Sequence, residues 1–540
     1  MIVKQWCSTE LEFHETQGSH SVVCGIDAVF TAPSGRKIYR EAFWDGEDLY
    51  KIRFTPTELG EWKYTVKGLH KGEETGSLSC VSYDGELPIY KHGFLKVEPE
   101  GKYLCHADNT PFLWLGDTHW EFVAEERFHE SNDPRFDSQF KAIVDRRAEQ
   151  EFNVYQCNFH VSMNGGWFGN GEPYFIQMED EYEPNLMLLR DNLDEKMAYL
   201  AEKGFCIAIG FSWGSSILLP GAVDYYKMAA RYLTARYGSY PVIWTLAGES
   251  GGYDTEKRKL FLDGWRKIAL ETEKWDGYHH LQTTHYTNER PFASYYNEEP
   301  WFDFTLNQAG HGDYPIDCRP FKEHRKKYPD KPFVEGESMY EYILTLEPNG
   351  RRRATPAMLR RVAYMAMQCG GCGYTYGCQG MWFLQWDESS DEKAAVGFGS
   401  NEPWYKGIDY PGAYQMKYFK KFYESIDWYK LEPVSADLLE VGTNGRAVIT
   451  LHKEDLEALF MPCVSADKER KTIAAYFSDG NRYPIGIHEL TQKKYKAQWF
   501  FPQNGTYQVI EEEIMPEGGV WFSPVKPNDE DAVLLLTSIE

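Results

Sequence analysis

Long apolar runs are missing from this 540-residue chain. No stretch approaches the ~20 apolar residues of a membrane-spanning helix, so no such span is expected. The N-terminal Met1-Ile-Val-Lys-Gln-Trp-Cys lacks a basic stretch followed by an apolar one, and it predicts no cleaved leader. Positive charge is scarce too: 57 Lys and Arg face 82 Asp and Glu, a formal charge of -25. Such a chain has no broad basic face to release phosphate counterions, so neither nucleic acid nor an anionic membrane is an expected partner, and a neutral ligand is. The 11 cysteines lack the order of a disulfide framework. Their count is odd, they are scattered, and Cys157 and Cys206 fall inside apparent strands, which predicts free thiols in a reducing, cytoplasmic compartment. Cys369-Gly-Gly-Cys372 has the spacing of a redox or metal pair, but no second pair stands with it. No metal and no other cofactor is expected. Internal repeats and low-complexity linkers are absent, so the parts of the chain should pack as one unit.

Aromatic residues, by contrast, make up 16% of the chain, with 17 Trp and 37 Tyr. They serve either the packing of β-rich domains or the stacking of sugar rings, and composition leaves both open. The length suggests two to four domains. Residues 1–93 read as short strands punctuated by Pro, Gly and Asp, at 21–25, 27–33, 37–39, 50–56 and 61–66, the pattern of a β-sandwich. From residue 94 to 428 strands and amphipathic helices alternate. Strands are expected at 112–116, 153–158, 206–211, 242–246, 280–284, 302–306, 332–335 and 373–376, with helices over 136–150, 192–203, 222–237, 256–273, 355–367 and 413–423. Eight strands with a helix in most gaps predict an α/β fold, a (β/α)₈ TIM barrel. Residues 429–540 return to short strands, at 447–451, 472–477, 496–500 and 505–510, and predict a second all-β sandwich.

Two of the barrel strands end in glutamate. Pro241-Val-Ile-Trp-Thr-Leu-Ala-Gly-Glu249-Ser-Gly-Gly closes the fourth, and Lys331-Pro-Phe-Val-Glu-Gly-Glu337-Ser-Met-Tyr-Glu341 the seventh. Buried carboxylates cost desolvation unless they are paired or used, and in such a barrel the strand ends form the working face. A two-carboxylate hydrolase needs this arrangement, one carboxyl ionised and one protonated. Glu335 competes with Glu337, since alternation lets both face inward, and the position nearer the strand end is preferred. Glu341 is expected to salt-bridge at a helix start.

The fourth-and-seventh placement resembles that of the retaining (β/α)₈ glycosidases. More narrowly, Phe112-Leu-Trp-Leu-Gly-Asp-Thr-His-Trp120, Trp244-Thr-Leu-Ala-Gly-Glu249, Gln308-Ala-Gly-His311 and the stretch 331–341 resemble the apiosidase-like group of glycoside hydrolases. The segment from Ala42 to Trp62 resembles the small all-β module that precedes the barrel in several bacterial glycosidases. The resemblance implies Glu249 as acid/base and Glu337 as nucleophile of a retaining enzyme, exo-acting on an oligosaccharide or a polysaccharide side chain. Many members of the wider clan carry Asn before the acid/base, where this chain has Gly248.

Further strand-end residues are candidate substrate contacts: Asp117, His119, Trp120, Asn158, His160, Trp213, His285, Tyr286, Gln308, His311, Tyr376 and Trp382. Imidazoles both donate to and accept from sugar hydroxyls. A metal alternative uses His119, His160, His285 and Asp117, although barrel amidohydrolases carry His-x-His on the first strand, where this chain has Asp117-Thr-His119. A non-catalytic carbohydrate-binding barrel is the other rival.

Overall fold

Six consecutive buried residues, Trp114–His119, form the first strand of a parallel sheet, β1. A run with no solvent-facing alternation is what a strand covered on both faces requires. The computed structural model describes residues 1–123, 126–161, 173–250, 256–286, 295–312, 318–345, 352–386, 402–434, 439–441, 462–481 and 484–539. Six further strands follow: β2 (Val154–Asn158), β3 (Cys206–Trp213), β4 (Val242–Gly248), β5 (Thr305–Gln308), β6 (Phe333–Glu337) and β7 (Gly373–Tyr376). They lie side by side in the order β4-β3-β2-β1-β7-β6-β5, all pairs parallel.

Parallel neighbours need crossovers, and helices supply them. These are α1 (Gln139–Glu149), α2 (Asp194–Glu202), α3 (Ala222–Tyr237), α4 (Arg258–Trp275), α5 (Arg319–Lys327), α6 (Pro356–Gln368) and, after β7, α7 (Pro411–Glu424). The first shows how sequence sets the pattern. Ser138 caps it by accepting the Lys141 N–H at 3.1 Å, and the buried stripe Phe140, Ile143, Val144 and Arg147 has helical spacing.

The sheet curls into a barrel-like form. Between its two edges, the segment 281–286 makes single parallel bridges to β4 (Trp244 with Gln282) and to β5 (His285 with Leu306). Eight full strands were expected, and seven form ladders; the segment 280–284 contributes bridges only. The amides of His280 and Gln282 bond instead to the carboxylates of Asp276 at 3.0 Å and Asp303 at 2.7 Å, so they are withdrawn from a ladder.

Before this sheet lie a five-stranded and a three-stranded sheet with a common core, in which Phe30 stacks on Phe54 at 3.8 Å. The strand expected at 21–25 is not formed; Val22 turns inward and donates its amide to Tyr182 O. Strands Ile2–Lys4, Thr9–His14, Phe43–Trp44 and Glu74–Val81 complete these sheets. After α7, a six-stranded and a three-stranded antiparallel sheet follow, and the strand expected at 447–451 lies outside the described residues. No helix among the described residues is long and apolar enough to cross a membrane.

Buried arginines join the N-terminal sheets to the parallel sheet. Arg53 donates to Asp194 at 2.6 Å, and Arg236 donates to Asp194 at 2.7 Å and Asp45 at 2.8 Å. Removing one partner of such a set leaves uncompensated buried charge. Arg236→Met is expected to destabilise the protein by about 3–5 kcal/mol, measured by denaturant unfolding, with both Asp45 and Asp194 left short of a partner.

Candidate active site

Strand β6 carries two glutamates, and the structure gives them different tasks. Opposite β5, Asn307 pairs with Glu335 while the next residue, Gln308, pairs with Glu337, so Gly336 is the extra residue of a bulge. Bulges re-aim side chains at sheet rims. Glu335, fully buried, accepts the amide of Ala309 at 2.9 Å and so fixes the turn after β5. That turn passes through Gly310, whose φ of 83° suits glycine, and delivers His311 to Glu337.

Glu337, 5% exposed, lies between two imidazoles. His285 Nε2 is 2.9 Å from Oε2, and His311 Nε2 is 3.1 Å from Oε1. The amide of Glu249 reaches His285 Nδ1 at 3.4 Å, which holds the ring with its Nε2 edge toward Glu337. Burial alone would raise this carboxyl's pKa; the imidazoles of His285 and His311 beside it hold it well below the usual carboxylate range.

Tyr340 ties the second glutamate to the first. Its hydroxyl accepts from Trp120 Nε1 at 3.1 Å and lies beside Glu337. Burial, the charge of Glu337 and that of Glu249 all push the phenol up. Both carboxylates therefore bear on one hydroxyl. Glu249 itself follows β4 with a φ of 52°, the left-handed region that a non-glycine residue enters only where its surroundings impose it.

Indole rings wall the site. Trp213 packs against the backbone of Gly248, where an added Cβ would stand 2.4 Å from the ring. This accounts for Gly248, because the indole fills the space that a side chain there would need. Trp120 meets Trp213 edge-on at 5.3 Å and His285 at 5.7 Å, and Trp382 stacks on Tyr340 at 5.3 Å. Gln308 completes the wall; its Oε1 is buried without a hydrogen-bond partner among the described residues.

Other expected contacts are engaged inside the protein. His119 is fully buried between Asp117, at 3.0 Å from Nε2, and Glu126, at 2.8 Å from Nδ1. Arg147 donates to the same Asp117, and Tyr155 to Glu126. With both ring nitrogens held by carboxylates, His119 stacks on Tyr155 of β2 at 4.3 Å and has none left for a hydroxyl. Asn158 bonds to the His160 amide at 2.8 Å and to Ser212 O at 3.1 Å, and His160 Nε2 to Trp120 O. Burial lowers the His160 pKa to about 4, and its neutral ring props Trp120. Tyr286 packs among Tyr295, Tyr296 and Phe302, and its hydroxyl accepts the Tyr296 amide. Tyr376 donates to Glu341 at 2.6 Å, and Glu341 also accepts the Gly412 amide in the first turn of α7. Glu341 thus serves a helix start, through that amide and not through a salt bridge. His119, His160, His285 and Asp117 do not gather into one metal-binding group.

Two residues escaped the sequence reading. Tyr340 stands three positions beyond Glu337, a visible signal. Asn307 is buried beside Gln308 with neither amide atom partnered among the described residues, and nothing in sequence distinguished it from a core asparagine.

Carboxylates at two strand ends, one kept anionic, among neutral hydrogen-bonding groups and indole faces suit the cleavage of an acetal in a hydroxyl-rich, uncharged substrate, and fold and site together define a glycoside hydrolase. The chain belongs to the apiosidase-like family, whose catalytic-domain model matches residues 98–430. Two further models match, a domain of unknown function over residues 2–68 and a "putative collagen-binding domain of a collagenase" over 461–537. Among solved structures, a "putative glycoside hydrolase" from Bacteroides vulgatus ATCC 8482 is 18% identical, with a TM-score of 0.70 and complete coverage of both chains. A glycoside hydrolase family 5 protein from the same organism is 22% identical, TM-score 0.66, covering 85% of this chain and 95% of its own. Another glycoside hydrolase is also 22% identical, TM-score 0.66, covering 84% and 99%. At these identities the likeness is one of fold. No curated protein matches the chain.

Two predictions follow from this geometry. Gly248→Ala should displace Trp213, costing about 1–3 kcal/mol of strain; glycosidase activity is expected to fall while far-ultraviolet circular dichroism is unchanged. The second concerns His119. Burial opposes its charge, but Glu126 and Asp117 win and push its pKa up from 6.5 to about 9. A pKa raised on folding stabilises fully below the unfolded value of 6.5 and ceases to do so as pH passes about 9. Thermal scans should therefore show up to about 3 kcal/mol of stability lost across that window, and His119→Gln should start less stable and lack this loss.

Proposed function

We propose that this chain is a retaining, exo-acting glycoside hydrolase of oligosaccharides or polysaccharide side chains, working by a two-glutamate double displacement. The observation that carries the reading is the clamp of His285 and His311 on Glu337. A carboxylate that stays ionised in a dry site can attack the anomeric carbon; one that protonates on burial does not. Glu249 is the acid/base. In the first step its proton goes to the glycosidic oxygen as the bond to the leaving group breaks and the ester to Glu337 forms. In the second it takes a proton from water, whose oxygen attacks the same carbon and releases Glu337. Tyr340 stands in the electrostatic field of both groups. Retention needs the two carboxyls ~5–5.5 Å apart.

In this reading the segment 281–286 takes the eighth place and closes a (β/α)₈ barrel, supported by its bridges to both edge strands. The barrel is the catalytic domain, 94–428, between β-sandwich domains 1–93 and 429–540. Exo action draws support from the indoles of Trp120, Trp213 and Trp382, which wall the site. All 11 cysteines are free thiols, which supports a reducing, cytoplasmic setting.

A panel of aryl glycosides, pentosides and deoxysugars included, identifies a cleaved substrate. On it, Glu337→Gln should lower kcat by about 10⁴-fold or more at unchanged melting temperature. The first product seen by NMR should keep the anomeric configuration of the substrate. Hydrolysis at the wild-type rate by that variant, or an inverted first product, would refute the mechanism.

A further inference from the structure

Cys318, Cys369 and Cys463 come from three separate elements. Cys318 precedes α5, Cys369 follows α6, and Cys463 opens β8 (Cys463–Ala466), a strand of the C-terminal six-stranded sheet. All three are buried, and their sulfur atoms lie within 4.8 Å of one another. Cys372, the other half of the Cys-x-x-Cys, turns away and donates to Phe333 O at 3.1 Å. A buried free cysteine commonly acts as a small apolar filler. Filling does not bring three sulfur atoms from two helix ends and a strand to one point, whereas ligation requires it.

The surroundings give a second, independent observation. On α7, Tyr423 is 1% exposed, and its hydroxyl has no hydrogen-bond partner among the described residues, yet it lies within electrostatic reach of Cys463 and Cys369. A thiol is a poor acceptor and a metal-bound thiolate a good one, so metal binding would satisfy this buried donor. Lys322, in the first turn of α5, is within electrostatic reach of Cys318 and Cys369 and offsets negative charge on the sulfurs.

We propose that Cys318, Cys369 and Cys463 bind a thiophilic d¹⁰ cation, Zn²⁺ or Cu⁺, as three thiolates. On binding, each thiol releases its proton to solvent as a sulfur–metal bond forms, with no change of oxidation state. The site joins the helices around the parallel sheet to the C-terminal sheet. It is remote in role from Glu337 and Glu249, so the metal is a clamp and not a participant in glycoside cleavage.

The test uses the full-length protein, purified under reducing conditions, stripped with a chelator and titrated with Cd²⁺, whose bonds to thiolate give an ultraviolet charge-transfer band. The band should saturate at one equivalent, with proton release and a raised melting temperature. Cys463→Ser and Cys318→Ser should each weaken binding by about tenfold or more, while Cys7→Ser should bind as wild type. If Cys463→Ser does not fold, Cys318→Ser carries the comparison. Metal analysis of the protein as purified from zinc- or copper-supplemented cells distinguishes the two ions. The proposal is overturned by the lack of a saturable band in the wild type, or by an undiminished band in the folded variants. Two thiols missing from the count on denatured, unreduced protein would also overturn it, in favour of a disulfide.

Discussion

The anion of Glu337, held between two imidazoles in a nearly dry site, is the constraint around which the rest is arranged. Taking a carboxylate out of water costs several kcal/mol, and charge-assisted hydrogen bonds return about 1.5–3 kcal/mol each. The two imidazoles, 2.9 and 3.1 Å from the carboxylate oxygens, and the nearby Tyr340 hydroxyl supply that return. Their donors come from different elements. His285 arrives on the segment that bridges β4 and β5, and His311 on the turn that Glu335 and Gly310 shape. Curling of the parallel sheet is therefore no background feature, since a flat sheet would leave its edge segments far apart and Glu337 unsupported.

Beneath the mouth, a second set of buried charges fixes the strands. Asp117 and Glu126 face His119 and Arg147, two anions against two cations, with Tyr155 donating to Glu126. The set is near neutral, which is how four ionisable groups tolerate burial. Glu341, pushed up to about 6 by burial, joins β7 to α7 through Tyr376 and Gly412. Outside the sheet the same chemistry joins modules, with Arg53 and Arg236 on one side and Arg360 bonded to Asp531 at 3.0 Å on the other. Stacking of Tyr364 on Tyr476 and of Phe422 near Phe500 adds apolar contact to the second joint.

Much of this was legible in the sequence. Continuous apolar runs gave the buried parallel strands, and the helical stripe of α1 or α3 gave their crossovers. Glutamates at two strand ends stood out because a carboxylate there is costly. Roles that depend on tertiary neighbours were not legible. His119 and His285 look alike in sequence, each at the end of an expected strand, yet one is enclosed by two carboxylates and the other faces the nucleophile candidate. His280 and Gln282 lie in a segment that reads as a strand, and only the placement of Asp276 and Asp303 withdraws their amides from the ladder. Gly248 read as a departure, and its cause, the Trp213 ring, comes from another strand. The three sulfurs of the interface cluster are dispersed along the chain, and their meeting depends on how the C-terminal sheet docks.

The central claim, that Glu337 is the carboxylate which attacks the substrate, is tested most directly by trapping. A 2-deoxy-2-fluoro analogue of a glycoside the enzyme cleaves slows the second step and lets the covalent ester accumulate. Peptide mass spectrometry then locates it. The account predicts a single label on Glu337, formed at stoichiometric amount and lost on turnover. A label on Glu335 or Glu249 would contradict it.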